Sequence, residues 1–209
     1  MTMTTLAAAV WIEAPSVYPR SLSDLLDESA RRHKHLCPRQ VLGARMGLLG
    51  ATLLASEAPD PAKRILVIIE TDGCFADGIA AATGCSIGAR TLRVIDHGKV
   101  AAVFVDVETH RVVRIAPQAQ ARQRASACAP WAQSKWHAQL AAYQVMPDEE
   151  LFTVQSIELT VSLEKLLSKP GRKAMCAMCG EEIINEREVV QDGRTLCRAC
   201  AGDSYWHLM

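Results

Sequence analysis

Between residues 21 and 83, apolar positions recur three and four residues apart, which is the repeat of helices that bury one face. The repeat predicts three helices, at about residues 21–34, 38–53 and 75–83. Ser21 or Ser23 is a suitable cap for the first helix, Pro38 suits the first turn of the second, and Gly84 suits the end of the third. The first part of the chain is therefore predicted to be mainly helical.

Short runs of β-branched and apolar residues predict strands between and after these helices. The predicted strands cover residues 65–69, 91–95, 100–107, 112–115 and 152–161. Residues 96–99 have the composition of a hairpin turn between the second and third strands. A helical stretch over residues 118–145, broken at Pro130, precedes the last strand. Because helices come first and strands pair as hairpins later, we predict an α+β core.

A polar linker separates two predicted domains. Residues 168–173 are polar and contain one proline and one glycine, a composition that favours a break between compact regions. The prediction is a core domain over residues 1–167 and a small C-terminal domain over residues 174–209.

Four cysteines dominate the small domain. They form two Cys-x-x-Cys pairs, Cys176 with Cys179 and Cys197 with Cys200, and residues 188–196 between the pairs are typical of a hairpin. Four thiolates in a tetrahedron suit zinc and leave no open position, so we predict a structural Zn²⁺ in a zinc ribbon. The metal would supply folding energy that so small a core lacks. Iron, or a redox role of the pairs, is the alternative.

A second group of ligand-type side chains lies in the core, at His33, His35 and Cys37. On a helix His33 and Cys37 share a face and His35 points away, whereas in an extended segment all three can turn to one side. Pro38 favours the extended arrangement, since proline disfavours helix at the preceding residue. It also places Cys37 just before a helix N-terminus, where the helix dipole favours a thiolate.

Cys74 occupies a similar place, after the strand at residues 65–69 and at the start of the next helix. Asp77 follows one turn later on the same side of that helix. Together with the histidines, these residues indicate either a metal site or a nucleophile. The simpler interpretation is a pair of small buried cysteines beside exposed histidines, and it is the one we adopt for Cys85 and Cys128.

Composition adds mainly exclusions. The chain has 209 residues, of which 49% are hydrophobic and 22% are charged, and its 23 Lys and Arg balance its 23 Asp and Glu. A nucleic-acid or membrane partner is therefore not predicted. No segment has the roughly 20 apolar residues that span a bilayer, and the apolar patch at residues 6–11 lacks the basic start of a secretory signal. Cysteines in Cys-x-x-Cys form indicate a reducing compartment, so we predict a cytoplasmic protein.

These residues resemble the FmdE family, which is named after a component of formylmethanofuran dehydrogenase. Residues 33–38 resemble the family's His-x-His-x-Cys-Pro-Gly segment, and residues 83–88 resemble its Thr-Gly-Cys-Thr-x-Gly step. The resemblance extends to the segments 43–47, 74–79, 96–99 and 147–152 and to the four-cysteine ribbon. The motifs occur in the family's order and cover nearly the whole chain from about Ser21.

The resemblance implies an α+β core, often a homodimer, with a polar cleft. The cleft residues it implies are His33, His35, Cys37, Cys74, Asp77 and Lys99. Arg39 stands where the family usually has glycine, and His97 stands where it usually has tyrosine, which adds a potential ligand. Association with molybdenum or tungsten enzymes is a further implication of the resemblance.

Three functions are compatible with these features. The first is a metal-binding accessory protein of a molybdenum or tungsten oxidoreductase of the formylmethanofuran dehydrogenase type, whose cleft binds a metal or a pterin-type ligand. The second is an enzyme in which a core zinc on His35, Cys37 and Cys74 activates water. The third is a regulatory adaptor whose ribbon contacts a partner. The sequence names no substrate and leaves catalysis open.

In the enzyme hypothesis, three further residues take catalytic roles. Asp77 or His97 would accept a proton, and Lys99 would stabilise an anion. The number of metal ions per chain distinguishes the hypotheses, because a ribbon alone binds one.

Overall fold

The structure is a computed structural model, and it describes residues 20–56, 58–59, 62–167, 169–207 and 209. The apolar patch at residues 6–11 lies outside the described residues. The chain divides into two compact units, Met1–Thr160 and Val161–Met209. None of the helices formed by the described residues is long and apolar enough to cross a membrane.

The helices of the first unit begin and end close to the sequence signals. They are α1 (Leu22–His33), α2 (Pro38–Leu53), α3 (Cys74–Thr83), α4 (Ala121–Cys128), α5 (Lys135–Ala142) and α6 (Asp148–Leu151). Ser21 is the N-cap of α1: its hydroxyl accepts a hydrogen bond from the Asp24 backbone at 3.2 Å, and the Asp24 carboxylate accepts one from the Ser21 backbone at 3.1 Å. This reciprocal pair satisfies two N–H groups that a helix start leaves without partners.

Five strands of the first unit form one sheet in the order β2-β1-β3-β4-β5. The strands are β1 (Ile65–Ile69), β2 (Leu92–Val94), β3 (Ala102–Asp106), β4 (Val112–Pro117) and β5 (Phe152–Ser156). β1 pairs in parallel with β2 and antiparallel with β3, and β3–β4 and β4–β5 are antiparallel pairs. This combination of helices and one mixed sheet confirms the predicted α+β core.

The hairpin predicted at residues 96–99 is wrong. β1 lies between β2 and β3, so these two strands do not pair, and α3 connects β1 to its parallel neighbour β2. Residues 96–99 instead cross the end of β1, where the backbone N–H groups of His97 and Lys99 donate to the Glu70 carbonyl at 2.9 and 3.1 Å. Turn composition cannot reveal that an earlier strand occupies the middle position.

The hydrophobic core lies between the sheet and the helices. Alternate β1 residues Ile65, Val67 and Ile69 belong to the same buried cluster as Phe75 and Ile79 of α3. The period of two along the strand meets the period of the helix at this layer, which orients α3 on the sheet.

α2 and α3 approach each other closely because glycines lie at their contact. A Cβ on Gly43 would lie 2.3 Å from the Phe75 carbonyl oxygen, and a Cβ on Gly78 would lie 2.2 Å from the Gln40 carbonyl oxygen. Further along the contact, a Cβ on Gly47 would lie 2.7 Å from the Ala82 side chain. Both helices therefore advance in the same direction, and their N-termini lie at the same end.

The second unit contains one short helix and two hairpins. Its elements are α7 (Leu163–Leu166), β6 (Lys173–Met175), β7 (Glu182–Ile184), β8 (Val189–Gln191) and β9 (Arg194–Leu196). β6 pairs with β7, and β8 pairs with β9. The second pair confirms the predicted hairpin between the Cys-x-x-Cys pairs, whereas α7 and the first pair were not predicted.

Candidate metal centres

Each Cys-x-x-Cys pair of the ribbon begins directly after a strand. Cys176 follows β6, and Cys197 follows β9. The turn after Cys176 is closed by its N–H, which donates to the Glu181 carbonyl at 2.9 Å, and by the Gly180 N–H, which donates to the Cys176 carbonyl at 3.0 Å. Gly180 has a φ of 75°, a conformation in which glycine avoids the strain of a side chain.

The four ribbon sulfurs are close enough to hold one ion. The ligand atoms of Cys176, Cys179, Cys197 and Cys200 all lie within 4.8 Å of one another. A tetrahedral zinc site with Zn–S bonds of about 2.3 Å separates its sulfurs by about 3.8 Å, and the Cys179 and Cys197 sulfurs are 4.0 Å apart. In the part of the chain that the structure describes, this is the sole group of three or more ligand-type residues with such spacing. The geometry supports the predicted structural metal.

Electrostatics at the ribbon also favour a cation. Backbone N–H groups of Cys179 and Cys197 lower the pKa of Cys176 to about 6. Interaction with the Cys197 thiol, followed by burial, raises the pKa of Cys200 to about 12. Without a cation, the thiolate of one cysteine opposes ionisation of its neighbours, and a divalent ion removes this conflict.

The core site forms where α1 ends and where α2 and α3 begin. His33 is the last residue of α1, and Lys34 adopts a left-handed conformation with φ of 65° that turns the chain away from the helix. Cys37 is then the N-cap of α2, and Cys74 is the first residue of α3. The parallel packing of α2 and α3 brings these two cysteines to the same end.

A buried glutamine fixes the loop that carries Cys37. The Gln40 side-chain oxygen accepts a hydrogen bond from the Cys37 N–H at 2.7 Å, and the Gln40 amide donates to the Ser29 hydroxyl at 2.9 Å. Gln40 and Ser29 are both fully buried. Because buried polar groups need partners, this pair of bonds holds α1, the loop and α2 in one arrangement.

His33 lies at the centre of the core site. Its Nε2 is 3.1 Å from the Cys74 sulfur, and its Nδ1 is 3.4 Å from the Asp77 carboxylate. The His35 ring lies beside it, with a centroid distance of 4.8 Å. Thiol, imidazole and carboxylate therefore form a chain of contacts from Cys74 to Asp77.

Cys37 and Cys74 interact through their side chains. Burial, together with the hydrogen bond and charge of the Cys37 thiol, raises the pKa of Cys74, and the charge of Asp77 acts in the same direction. Cys37 is buried, Cys74, His33 and Asp77 are half-buried, and His35 is exposed. The structure thus brings together all five predicted residues from the first two segments.

His97 and Lys99 lie at a different group, around Glu70 at the end of β1. His97 Nδ1 is 4.0 Å from the Glu70 carboxylate, and the Lys99 charge helps to lower the pKa of Glu70. The main cause of that lowering is Arg114 of β4, whose guanidinium donates to both Glu70 oxygens, at 2.6 and 2.7 Å. Gln155 accepts a further hydrogen bond from Arg114 at 2.9 Å.

Sequence reasoning missed this Glu70–Arg114 pair. The two residues are 44 positions apart, and neither belongs to a motif. Glu70 follows an uninterrupted apolar run, and a carboxylate at the end of a buried strand was the available signal, since such a group requires a partner.

Residues 32–153 match the family model described as "FmdE, Molybdenum formylmethanofuran dehydrogenase operon", which is more than half of the chain. The chain belongs to the FmdE family. Residues 164–205 match the model of the prokaryotic dksA/traR C4-type zinc finger. The two matches confirm the predicted family and the C-terminal zinc ribbon.

Two known proteins are similar to this FmdE-family chain. An Archaeoglobus fulgidus protein described as "Probable S-adenosyl-L-methionine-binding protein" is 29% identical over 218 residues, which cover 93% of this chain and 57% of that protein. The chain therefore spans little more than half the length of this curated relative. The crystal structure of an FmdE-like protein of tungsten formylmethanofuran dehydrogenase from Syntrophus aciditrophicus has a TM-score of 0.60 at 20% identity, covering 94% of this chain and 100% of that one. At this identity the second match shows the fold alone.

Proposed function

We propose that this protein is a metal-binding accessory component of a formylmethanofuran dehydrogenase-type oxidoreductase system. In this proposal Cys37, Cys74 and His33 bind a metal ion in the core, and the ribbon holds a structural zinc. The observation that carries it is the 3.1 Å contact of His33 Nε2 with the Cys74 sulfur, beside the interacting Cys37 thiol. Membership of the FmdE family supports the accessory role.

The donor set suits a soft or borderline divalent ion. Two thiolates and one imidazole are typical of zinc and are less suited to magnesium or calcium. The two cysteines oppose each other's ionisation, as the raised pKa of Cys74 indicates, and a divalent cation would stabilise both thiolates. Three protein ligands would leave one position of a tetrahedral ion for water or an exogenous ligand.

Asp77 fits the role of a positioning residue for His33. Its carboxylate contacts Nδ1, while Nε2 faces the Cys74 sulfur. Metal-binding histidines commonly donate their second ring N–H to a carboxylate, which orients the ring and strengthens the metal bond. The catalytic roles of Asp77, His97 and Lys99 stay predictions, and His35 is a candidate ligand from the exposed side.

Metal stoichiometry of the purified full-length chain tests the core site. We expect two metal ions per chain by mass spectrometry of the elements, with one lost in Cys74→Ser or Cys37→Ser and the other lost in Cys176→Ser. Cys128→Ser is the matched control, because Cys128 is an exposed free cysteine outside both sites. One ion per chain that survives Cys74→Ser would refute the core site.

Binding to purified catalytic subunits of a molybdenum or tungsten formylmethanofuran dehydrogenase tests the accessory role. Co-elution in size-exclusion chromatography supports it, and separate elution at micromolar concentrations contradicts it. Light scattering in the same run tests the homodimer that the family resemblance implies. Eight free cysteines favour the cytoplasm as the site of action.

The name of the Archaeoglobus relative adds S-adenosylmethionine as a candidate ligand. We propose it as a second function to test, since the similarity to that relative extends over 93% of this chain. Titration calorimetry of the metal-loaded protein should show saturable heat if the ligand binds. Heat that is identical in the wild type and in Cys74→Ser would place such binding away from the core metal.

A further inference from the structure

We infer that Cys37 and Cys74 form a reversible disulfide on oxidation, so that the core site is controlled by redox state. The disulfide depends on the geometry of the two thiols, and its effect on a metal rests on the proposed function. Oxidation would remove two of the three proposed ligands in a single step.

The helix packing holds the two thiols next to each other. Cys37 precedes α2, and Cys74 begins α3. The close contacts of Gly43 and Gly78 with the opposite backbone prevent these helices from sliding or separating. The hydrogen bond from the Cys37 N–H to Gln40 fixes the loop on the α2 side. Because the thiols already interact, side-chain rotation can bring them to bonding distance with little backbone movement.

A small hydroperoxide is the oxidant class that fits. Cys74 is half-buried whereas Cys37 is only 8% exposed, so Cys74 meets the oxidant first. Its sulfur attacks one peroxide oxygen, the O–O bond breaks, and Cys74 becomes a sulfenic acid while the leaving hydroxide takes up a proton to form water. The Cys37 sulfur then attacks the Cys74 sulfur, the S–O bond breaks, and a second water leaves. The two electrons lost by the thiols reduce the peroxide, and a dithiol reverses the reaction.

His33 and Asp77 make this pair different from the other free cysteines of the core. The His33 Nε2 lies 3.1 Å from the sulfur of Cys74 and is suited to hold the proton that the thiol gives up. By contrast, the buried Cys85 thiol donates to the Ile65 carbonyl at 3.4 Å. Cys85 therefore provides a matched internal control that shares the fold but lacks the partner thiol.

The experiment uses the full-length, metal-loaded protein. After removal of reductant, the chain is treated with stoichiometric hydrogen peroxide and alkylated, and its peptides are mapped without reduction. We expect a peptide pair linked through Cys37 and Cys74, release of one metal equivalent to a chromogenic chelator, and recovery of both thiols and metal with dithiothreitol and added zinc. Cys85→Ser and Cys128→Ser should behave as the wild type, and Cys74→Ser should form no link.

The outcomes separate this inference from the proposed function. A reduced protein with a core metal but no Cys37–Cys74 link after peroxide overturns the redox inference and leaves the metal site intact. A link that forms in a protein without core metal supports the disulfide and refutes the metal site. A link from Cys74 to Cys85, or irreversible oxidation of Cys74 alone, also overturns the inference.

Discussion

The ribbon site and the core site use similar thiol chemistry but assemble it in different ways. In the ribbon, each ligand pair follows one short strand, and the four sulfurs lie within 4.8 Å of one another. In the core, the contact between Cys74 and His33 joins residues 41 positions apart, and it depends on where three helices end or begin. Local turns therefore build the first site, and tertiary packing builds the second.

This difference separates a structural metal from a functional one. The ribbon offers a complete set of four thiols, so a bound ion there has no position for chemistry. The core offers fewer protein ligands, a carboxylate behind the histidine and partial exposure to solvent. Removing metal should accordingly unfold the ribbon but leave the core folded, and the following predictions test that contrast.

The largest effect is expected in the ribbon. Cys176→Ser should remove its metal and unfold strands β6 to β9, because the buried cluster there contains only three residues, Cys176, Ile183 and Leu196. Structural zinc contributes on the order of 10 kcal/mol in such domains. Hydrogen exchange read by mass spectrometry should show loss of amide protection after residue 172 and unchanged protection in β1 and β3. Ribbon strands that stay protected without metal would contradict this prediction.

The next effect is expected at the contact of α2 with α3. Alanine normally favours a helix over glycine by about 1 kcal/mol, yet Gly78→Ala places a Cβ 2.2 Å from the Gln40 carbonyl oxygen. We expect a net loss of about 3 kcal/mol in the free energy of unfolding and weaker core metal binding, because the helices must separate. Urea denaturation measures the loss.

Gly88→Ala is the control for this substitution, since a Cβ there meets nothing within 4 Å. It should change stability by less than about 0.5 kcal/mol. If both variants are equally stable, then close helix packing does not hold the core site together.

A smaller effect is expected at the carboxylate behind His33. Asp77→Asn should weaken core metal binding about 10- to 100-fold and leave ribbon metal unchanged, because Asn is a poorer acceptor for the Nδ1 proton. Competition with a fluorescent zinc chelator measures the affinity. Asp72→Asn, at an exposed position near the same helix, is the control. Equal affinity in both variants would exclude Asp77 as a positioning residue.

The smallest effect is expected at Glu70, away from both metals. Arg114 lowers the pKa of Glu70 below its ordinary value of 4.5, so the stabilisation is present above that value and is lost as pH falls through the folded-state pKa. Glu70→Gln should lower the free energy of unfolding by about 1 to 2 kcal/mol at neutral pH. The difference from the wild type should shrink in acid.

Denaturant titrations at neutral pH and below pH 4.5 measure this dependence for Glu70→Gln, with the exposed Glu158→Gln as control. Metal content should be unchanged in both variants. A difference in stability that is the same at every pH would show that ionisation of Glu70 does not stabilise the fold.

The sequence by itself determined the features whose causes lie within a few residues. The Cys-x-x-Cys pairs, the Ser21 cap, the Gly84 helix end and the apolar run of β1 each depend on neighbouring positions, and the structure contains all of them. The ribbon site was predictable for the same reason, because its ligands need only two turns to converge.

Only the tertiary structure decided the order of the strands and the composition of the core site. The insertion of β1 between β2 and β3 made the predicted hairpin wrong, because strand order depends on pairing between distant segments. The Glu70–Arg114 pair and the contact of His33 with Cys74 likewise bring together residues 44 and 41 positions apart. The sequence identified the cysteines and histidines of the core, and the packing of α2 on α3 determined which of them meet.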